Sequence, residues 1–470
     1  MIESAARQVV LAWPDSVLDL ADFLADAQEP VYLVGGAVRD AYLRRPVRDL
    51  DLISGNGRRL ARKIADHWKG DYYPLDDARD VGRALIETPN GRLMVDVARM
   101  RGDSLDDDLH ERDFSLNAMA VQLNGALDRV FDPTGGLDDL RAKRLRQCSE
   151  RAIPDDPIRA LRAVRFSAQF GLRIEANTLA AVREHASLLA RPSPERVRDE
   201  FFSMLGLPKP VPALRVARSL GLIAPVLPAL AELPDAIWDR TLMTAERVSE
   251  LLRTIGPERT DDSAAQFALG MVVMALDRYR NPIYTHLMET SPSGRSHRAL
   301  LLFAALMATF GPAQAAKMGH RLRLSGDECG WLERTLEALP GALELREPDD
   351  LAMHRYWRPV GSAGIDGLLL ALASTLAAQG TALDQDAWVR QLEAARLLLW
   401  VWFDRRAEVV EPVPLVTGTR LMKALHLKPG PSVGALLDAL REAQVMGSIS
   451  TEDDALALAA RLLADGLGDR

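Results

Sequence analysis

The sequence predicts an α+β protein, in which an N-terminal head built on one mixed sheet is followed by a long all-α body. Three observations carry this. Short apolar, β-rich runs alternate with helical patterns over the first 133 residues; the texture changes once, near residue 133; helical periodicity with Pro- and Gly-bearing joints then runs almost to the end. A length of 470 residues with 48 % hydrophobic side chains gives ample core and suggests two to four domains.

In chain order, VYLVGG (31–36), DLDLIS (49–54), RALIET (83–88), RLMVDVARM (92–100) and DRVFD (128–132) read as strands. VRDAYLRR (38–45) and RRLARKIADHW (58–68) read as helices between them. Beyond the change, DPIRALRAVRFSAQF (156–170), NTLAAVREHASLLA (177–190), PERVRDEFFSML (194–205) and VPALRVARSLGL (211–222) read as successive helices. Looser joints at 340–350 and 405–418 complete a division into head 1–133, neck 134–220, body 221–405 and tail 406–470.

Charge and cysteine content narrow the function classes. Lys and Arg number 58 against 66 Asp and Glu, a net −8 that disfavours bulk electrostatic coating of nucleic acid but permits a local basic face. Such a face is offered by the neck, where Arg141, Lys143 and Arg144 open a run continued by Arg146, Arg159, Arg162 and Arg165. Two cysteines support neither a disulfide framework nor a four-cysteine zinc site, so the expectation is a cytoplasmic protein. No secretory signal is legible at the start, and apolar runs such as LLLFAALMATFG fall short of the ~20 residues of a membrane span.

The sharpest local signal is VYLVGGAVRDAYLRRPVRDLDLIS. Gly35 and Gly36 end a strand and open a helix, where unpaired N–H groups and the helix dipole favour an anion. Asp49 and Asp51 stand two apart on a strand and project from one face. Adjacent ionised carboxylates repel unless a cation lies between them, and Mg²⁺ is commonly held by one or two carboxylates plus substrate phosphates. Asp96, alternating with Val95 and Val97, is either an ordinary exposed strand residue or a third catalytic carboxylate.

At these residues the chain resembles the class II tRNA nucleotidyltransferases and bacterial poly(A) polymerases, of the polymerase-β-like nucleotidyltransferase superfamily. Gly35-Gly36-x-Val38-Arg39-Asp40 with Asp49-x-Asp51 is similar to the family's metal-binding motif, and ERDFSLNAMA (111–120) to its nucleotide-sugar motif. The resemblance implies that Arg39 and Arg112 assist at the phosphates and that Arg112, Asp113 and Asn117 contact triphosphate and ribose; the family's first arginine is Glu111 here. FDPTGGLDDLRAKRLR (131–146) is similar to the segment joining head and neck, DDPIRALRAVRFSAQFGL (155–172) to the template helix, and SPERVRDEFF (193–202) to the segment bracing it. Ser193 also reads as a plain N-cap of that last helix.

Asp156 and Arg159, three apart at a helix start, ordinarily form a weak surface pair. In the family context they replace a nucleic-acid template: the carboxylate accepts from the exocyclic amine of cytosine or adenine and the guanidinium donates to ring acceptors. Uracil and guanine leave a polar group unpaired at about 1–3 kcal/mol. Arg162 and Arg165, one and two turns on, are further candidate nucleotide contacts. The implied reaction is attack of a tRNA 3′-hydroxyl on the α-phosphate of CTP or ATP, with two Mg²⁺ ions held by Asp49 and Asp51.

Two departures are informative. Members that add a full CCA end usually carry a flexible loop ahead of the nucleotide-sugar motif, and here ARMRGDSLDDDLHE runs almost directly into it, as in CC-adding enzymes that need a separate A-adding partner. Many bacterial relatives carry a metal-dependent HD phosphohydrolase domain, whereas HRALLLFAALMATFGPA (297–313) has Ala308 and Thr309 at the His-Asp position. The body therefore reads as degenerate HD-like, with His286, His297 and His320 scattered surface or satisfied residues rather than ligands. The tail, with LKPGPSVGALL, resembles the family's C-terminal module and offers Lys428 to RNA phosphates. A full CCA-adding enzyme, an A-adding enzyme, a poly(A) polymerase and a catalytically inactive RNA-binding protein are the competing readings.

Overall fold

The computed structural model describes residues 6–89, 91–256, 267–343, 349–379 and 383–465, so the middle of the predicted joint at 340–350 lies outside the described residues. Packing divides the chain into two compact units, Met1–Met204 with Pro212–Val226, and Leu205–Val211 with Leu227–Arg470.

The first unit is built on an eight-stranded mixed sheet. Its strands are β1 (Arg7–Gln8), β2 (Tyr32–Val34), β3 (Asp49–Ser54), β4 (Asp71–Asp76), β5 (Val81–Thr88), β6 (Gly91–Arg99), β7 (Ala120–Gln122) and β8 (Arg129–Phe131). Their order is β1-β8-β7-β2-β3-β6-β5-β4, with β3 and β6 parallel and the other pairs antiparallel. Helices α1 (Asp15–Leu24), α2 (Gly36–Tyr42), α3 (Gly57–His67) and α4 (Leu105–His110) belong to the same layer architecture. Period-two alternation explains the central strands: Leu50, Leu52, Val95 and Val97 are buried on one face, each worth roughly 1.5–3 kcal/mol, which turns Asp49, Asp51 and Asp96 to the other. Strand β4 was not legible because DYYPLD is a mostly exposed edge strand carrying Pro74, and Pro is tolerated at sheet edges.

The neck segment folds onto this sheet within the same unit. After α5 (Gly136–Arg141) and the short α6 (Ala152–Asp155), the helix α7 (Ile158–Phe170), expected from the sequence to be the template helix, sets Phe166 edge-on to Phe114 at 6.0 Å between ring centroids. The predicted helix 177–190 breaks into α8 (Ala176–Glu184) and a 3₁₀ turn at Ala186–Ala190, whereas α9 (Pro194–Leu205) spans the predicted 194–205. Ser193 caps α9 as expected, accepting from Arg196 N–H at 3.5 Å.

The second unit is helical among its described residues. The helix Ala363–Gln379 is apolar on every side and buried throughout residues 363–373, packed against the helices Asp235–Thr254 and Gly326–Ala338. No single helix among the described residues is long and apolar enough to cross a membrane; only the bent pair Asp350–Val360 and Ala363–Gln379, at 104°, meets that criterion by length and composition. The predicted joint at 405–418 is a π-helical turn, Arg406–Val410, followed by irregular chain. Beyond it Val416, Leu421, Leu436, Leu440 and Ala455 form a small core of their own.

One buried charge matters to this unit. Glu328, fully buried, closes a capping box with Ser325 and accepts hydrogen bonds from Arg295 at 2.8 and 3.1 Å and from Ser291 at 2.9 Å. Burial alone would raise its pKa, but these donors bring it down to about 2 from 4.5. A depressed carboxyl pKa contributes stability that is present above the unfolded value of 4.5 and lost as pH falls toward 2, about 3 kcal/mol in all. Glu328→Gln is therefore expected to cost about 3 kcal/mol at pH 7, with a gap to the native chain that narrows through this acid range, measured by denaturant unfolding at pH 7 and pH 3.

Candidate active site

The connection from β2 to α2 opens the site. Gly35 has φ +76°, a left-handed conformation that side chains rarely adopt, and a Cβ there would lie 3.4 Å from Arg112 Nη1 and 3.7 Å from Asp51 Oδ2. The glycine thus leaves room for a cation and an anion to approach each other across the turn. The expected free N–H is not found at Gly35, whose amide donates to Met119 O at 3.1 Å.

Across three strands the register aligns Asp51 on β3, Asp96 on β6 and Arg83 on β5. Arg83 grips Asp96 through both oxygens at 2.7 and 2.8 Å, which accounts for that acid, while neither Asp49 nor Asp51 has a side-chain hydrogen bond or ion pair among the described residues. Asp51 is open to solvent on the floor of a cleft yet surrounded by protein. Burial in that cleft, with the like charges of Asp96 and Asp49, raises its pKa against the opposing pull of Arg112. Two unpartnered carboxylates on one face, one of them raised by burial and like charge, are a donor set that suits a hard divalent cation.

The cleft has a volume of about 590 Å³ and is lined by Gly35, Gly36, Asp51 and Asn117 from the sheet side and by Asp156, Arg159, Arg162 and Phe166 from the α7 side. That volume is of the size that takes a nucleotide-scale ligand. Six arginines and five acids line it; of these Arg162 pairs with Asp113 and Glu200, and Arg196 with Asp156. Arg39 is buried: it donates to Asn117 Oδ1 at 2.5 Å and to Asp40 at 2.8 and 3.0 Å, and lies over the Phe170 ring at 4.3 Å. Asn117 donates to Asp113 at 3.1 Å, and Asp113 accepts from Arg162 Nε at 2.8 Å. Burial would raise Asp113, but the Arg162 charge and the hydrogen bonds from Arg162, Asn117 and the Phe114 amide hold its pKa below the ordinary carboxylate value. Arg165 pairs with Glu200 and donates to Gln169 at 3.0 Å. Arg39, Asn117, Asp113 and Arg162 thus line the cleft and brace it, whereas Arg165, expected as a nucleotide contact, is not among the lining residues and braces Glu200 instead.

Arg112 is differently placed. Its Nε and Nη2 donate to Asp108 at 3.2 and 3.0 Å, which leaves Nη1 toward Gly35. Asp108 is itself buried and also accepts from the Arg101 amide at 3.0 Å. Asp108, Arg101, Arg83 and Arg196 are residues that sequence reasoning missed; only the i, i+4 spacing of Asp108 and Arg112 gave a usable signal.

Asp156 and Arg159 both line the cleft but do not pair with each other. Asp156 precedes Pro157, in extended backbone outside α7, and accepts from Arg196 at 2.7 Å. Arg159 donates to the backbone carbonyls of Glu111 at 3.0 Å, Ala152 at 3.1 Å and Arg112 at 3.4 Å. Of the residues expected to face RNA, Arg141 donates to Tyr42 at 2.9 Å and Asp138 at 3.2 Å, and Arg144 pairs with buried Asp139 at 2.6 Å. Lys143 and Lys428 are exposed and lack a side-chain partner among the described residues; Lys428 belongs to the other unit.

Comparison with known proteins gives this arrangement its class. Residues 31–146 match the Poly A polymerase head domain, 171–233 the family described as "Probable RNA and SrmB- binding site of polymerase A", and 300–460 a tRNA nucleotidyltransferase domain 2. The chain is 32 % identical to the CC-adding tRNA nucleotidyltransferase of Geobacter sulfurreducens over 90 % of both chains. It is 29 % identical to the A-adding tRNA nucleotidyltransferase of Deinococcus radiodurans, over 91 % of this chain and 94 % of that one. The structure of a CCA-adding enzyme with CTP shares the fold at a TM-score of 0.63 and 20 % identity, covering 97 % of this chain and 96 % of that one. The chain belongs to the tRNA nucleotidyltransferase family, whose polymerase-β-like head works with divalent metal.

Proposed function

We propose that this protein adds cytidylate to the 3′ end of tRNA, consuming CTP and releasing pyrophosphate, and that it stops at CC. The transfer reading is supported by the cleft that joins unpartnered Asp51 to Arg112 and to the template residues Asp156 and Arg159. The CC-adding reading is supported above all by the short link of residues 100–104 between β6 and α4, at the place where the family resemblance implies a longer loop for most full CCA-adding members.

Asp49 and Asp51 would hold Mg²⁺, which when bound neutralises charge on the triphosphate and lowers the pKa of the attacking hydroxyl. The chain's own residues do the rest. Arg112, fixed by Asp108, presents Nη1 to a phosphate beside Gly35. Asp113 and Asn117, locked to Arg162 and Arg39, form a rigid floor for the ribose. Asp156 offers a carboxylate to the exocyclic amine of the base. Lys143 and Lys428 are free to meet RNA phosphates, whereas Arg141 and Arg144 act there only through the charge left after their ion pairs.

Incubating the protein with tRNA lacking its CCA end, Mg²⁺ and single nucleotides tests the proposal. Two C residues from CTP with no later use of ATP is the expected product. Addition of one A to tRNA ending in CC, favoured by the likeness to the Deinococcus radiodurans enzyme, would replace the CC reading with an A-adding one. Long A tracts would point to poly(A) synthesis, and no incorporation of any nucleotide would remove the enzyme reading altogether. Asp108→Asn is expected to raise KM for CTP with little change in kcat, lowering kcat/KM about ten- to a hundredfold, the worth of a charge-assisted hydrogen bond.

A further inference from the structure

His286, His297 and His320 read as scattered in the sequence, and the fold gathers the first two with Glu289. His286 lies in the last turn of the helix Arg280–Met288, Glu289 follows that helix directly, and His297 opens the helix His297–Met307. The connection folds back on itself through the Thr290–Ser296 bridge, with Ser291 N–H donating to Arg295 O at 2.8 Å and His297 N–H to Glu289 O at 3.0 Å. Its tip is fixed by Glu328, buried and bonded to Arg295 and Ser291. As a result one ligand atom from each of His286, Glu289 and His297 lies within 4.8 Å of the others, and the two imidazole centroids are 4.6 Å apart.

What lies behind the cluster points the same way. The Asp366 carboxylate, fully buried on the helix Ala363–Gln379, makes a 2.6 Å hydrogen bond through Oδ2 with His286 Nε2. Its Oδ1 has no hydrogen-bond partner among the described residues, and neither does the buried Nδ1 of His297. His297 is held by stacking on Trp331, at 5.4 Å and 22° between planes. A simple structural His–Asp pair needs only His286 and Asp366; it gives no reason for a second imidazole and a solvent-facing carboxylate to converge on the same point.

We propose that His286, Glu289 and His297 form a binding site for one divalent transition metal of the zinc and cobalt class, with Asp366 as the residue that positions His286. Two imidazoles and one carboxylate suit these ions rather than Mg²⁺ or Ca²⁺, which prefer oxygen donors alone. A second carboxylate on the far ring nitrogen of a ligand histidine is the usual device that fixes tautomer and ring orientation. Ligand atoms around a tetrahedral zinc stand about 3.3 Å apart, so the three side chains, with ligand atoms within 4.8 Å of one another, close slightly around the ion, exposed Glu289 having the most freedom to rotate. Because Glu289 faces solvent, a fourth position is left for water. The head, with carboxylates only at Asp49 and Asp51, selects a different class of ion.

The test uses the untagged full chain, stripped with chelator and titrated with Co²⁺ in excess Mg²⁺, read by visible ligand-field absorption. One equivalent of Co²⁺ with the intensity of a four- or five-coordinate site is expected, lost in both His297→Ala and Glu289→Gln while circular dichroism and CTP incorporation stay as in the native chain. Asp366→Asn is expected to weaken Co²⁺ binding roughly 10–100-fold. The proposal is overturned if the native chain shows no saturable absorption. It is equally overturned if the band survives in His297→Ala and Glu289→Gln, as it would if Co²⁺ chose His320 and Cys329, which lie 3.5 Å apart.

Discussion

Asp51→Asn is expected to lower the rate of CMP transfer by about a thousandfold or more while leaving tRNA affinity unchanged in a filter-binding assay. Loss of charge stabilisation worth several kcal/mol is enough, since about 4 kcal/mol corresponds to a thousandfold in rate. The structure adds a second, opposite expectation. Asp51 lies on the floor of a cleft, has no hydrogen-bond or ion-pair partner among the described residues and stands between two like charges, so its ionised form is disfavoured in the fold. A neutral isostere relieves that repulsion, and Asp51→Asn should unfold at a higher temperature than the native chain when both are scanned in chelator. Asp96→Asn is the internal control. Arg83 already holds Asp96 in a two-pronged pair at 2.7 and 2.8 Å, so the loss there should come chiefly through a freed Arg83, with a smaller effect on rate. Equal losses at both positions would instead make Asp96 a full partner in catalysis.

How much of this was legible in the sequence depends on the range of the interaction that decides each feature. Strands β3 and β6 were readable because alternation is a local signal, and it placed Asp49 and Asp51 on one face and Asp96 opposite Val95 and Val97; that the three acids share a face follows from the β3–β6 register. The pairing of Asp96 with Arg83 was not readable, because it depends on which strand lies beside β6 and in which register. Template helix α7 was readable from its periodicity and its family motif. That Asp156 bonds Arg196 while Arg159 bonds the carbonyls of Glu111 and Arg112 is a property of three segments meeting, and no spacing rule carries it. The same holds for Asp113, Asn117 and Arg39. Their motif resemblance suggested contacts to ribose and phosphate, whereas packing ties their polar atoms into one network. The histidines of the body are the extreme case: nothing local announces that His297 returns to His286, since a bridge and a distant glutamate, Glu328, shape that return.

Asp156→Ala is expected to reduce discrimination of CTP over UTP by about 5- to 150-fold, the equivalent of the 1–3 kcal/mol for one unsatisfied polar group. On the proposed reading the Asp156 carboxylate would accept from the amine of cytosine and would repel the carbonyl oxygen that uracil has at the same position. Its present partner is no obstacle: the Arg196 side chain is 54 % exposed, and an ion pair of that kind contributes roughly 0–1 kcal/mol. A base bound at Asp156 would therefore displace Arg196 at little cost, and Arg196→Ala should change the CTP/UTP ratio only a few-fold. Arg159→Ala should behave differently from both. Because Arg159 links α7 to the carbonyls of Glu111 and Arg112, its removal loosens the segment that aims Arg112 as well as the helix that reads the base. KM for CTP should then rise together with UTP misincorporation, whereas Asp156→Ala alters selectivity with a smaller change in KM. Single-nucleotide incorporation with CTP and UTP on tRNA lacking its CCA end separates the two. Selectivity in Asp156→Ala equal to that of the native chain would mean that the base is read elsewhere in the cleft.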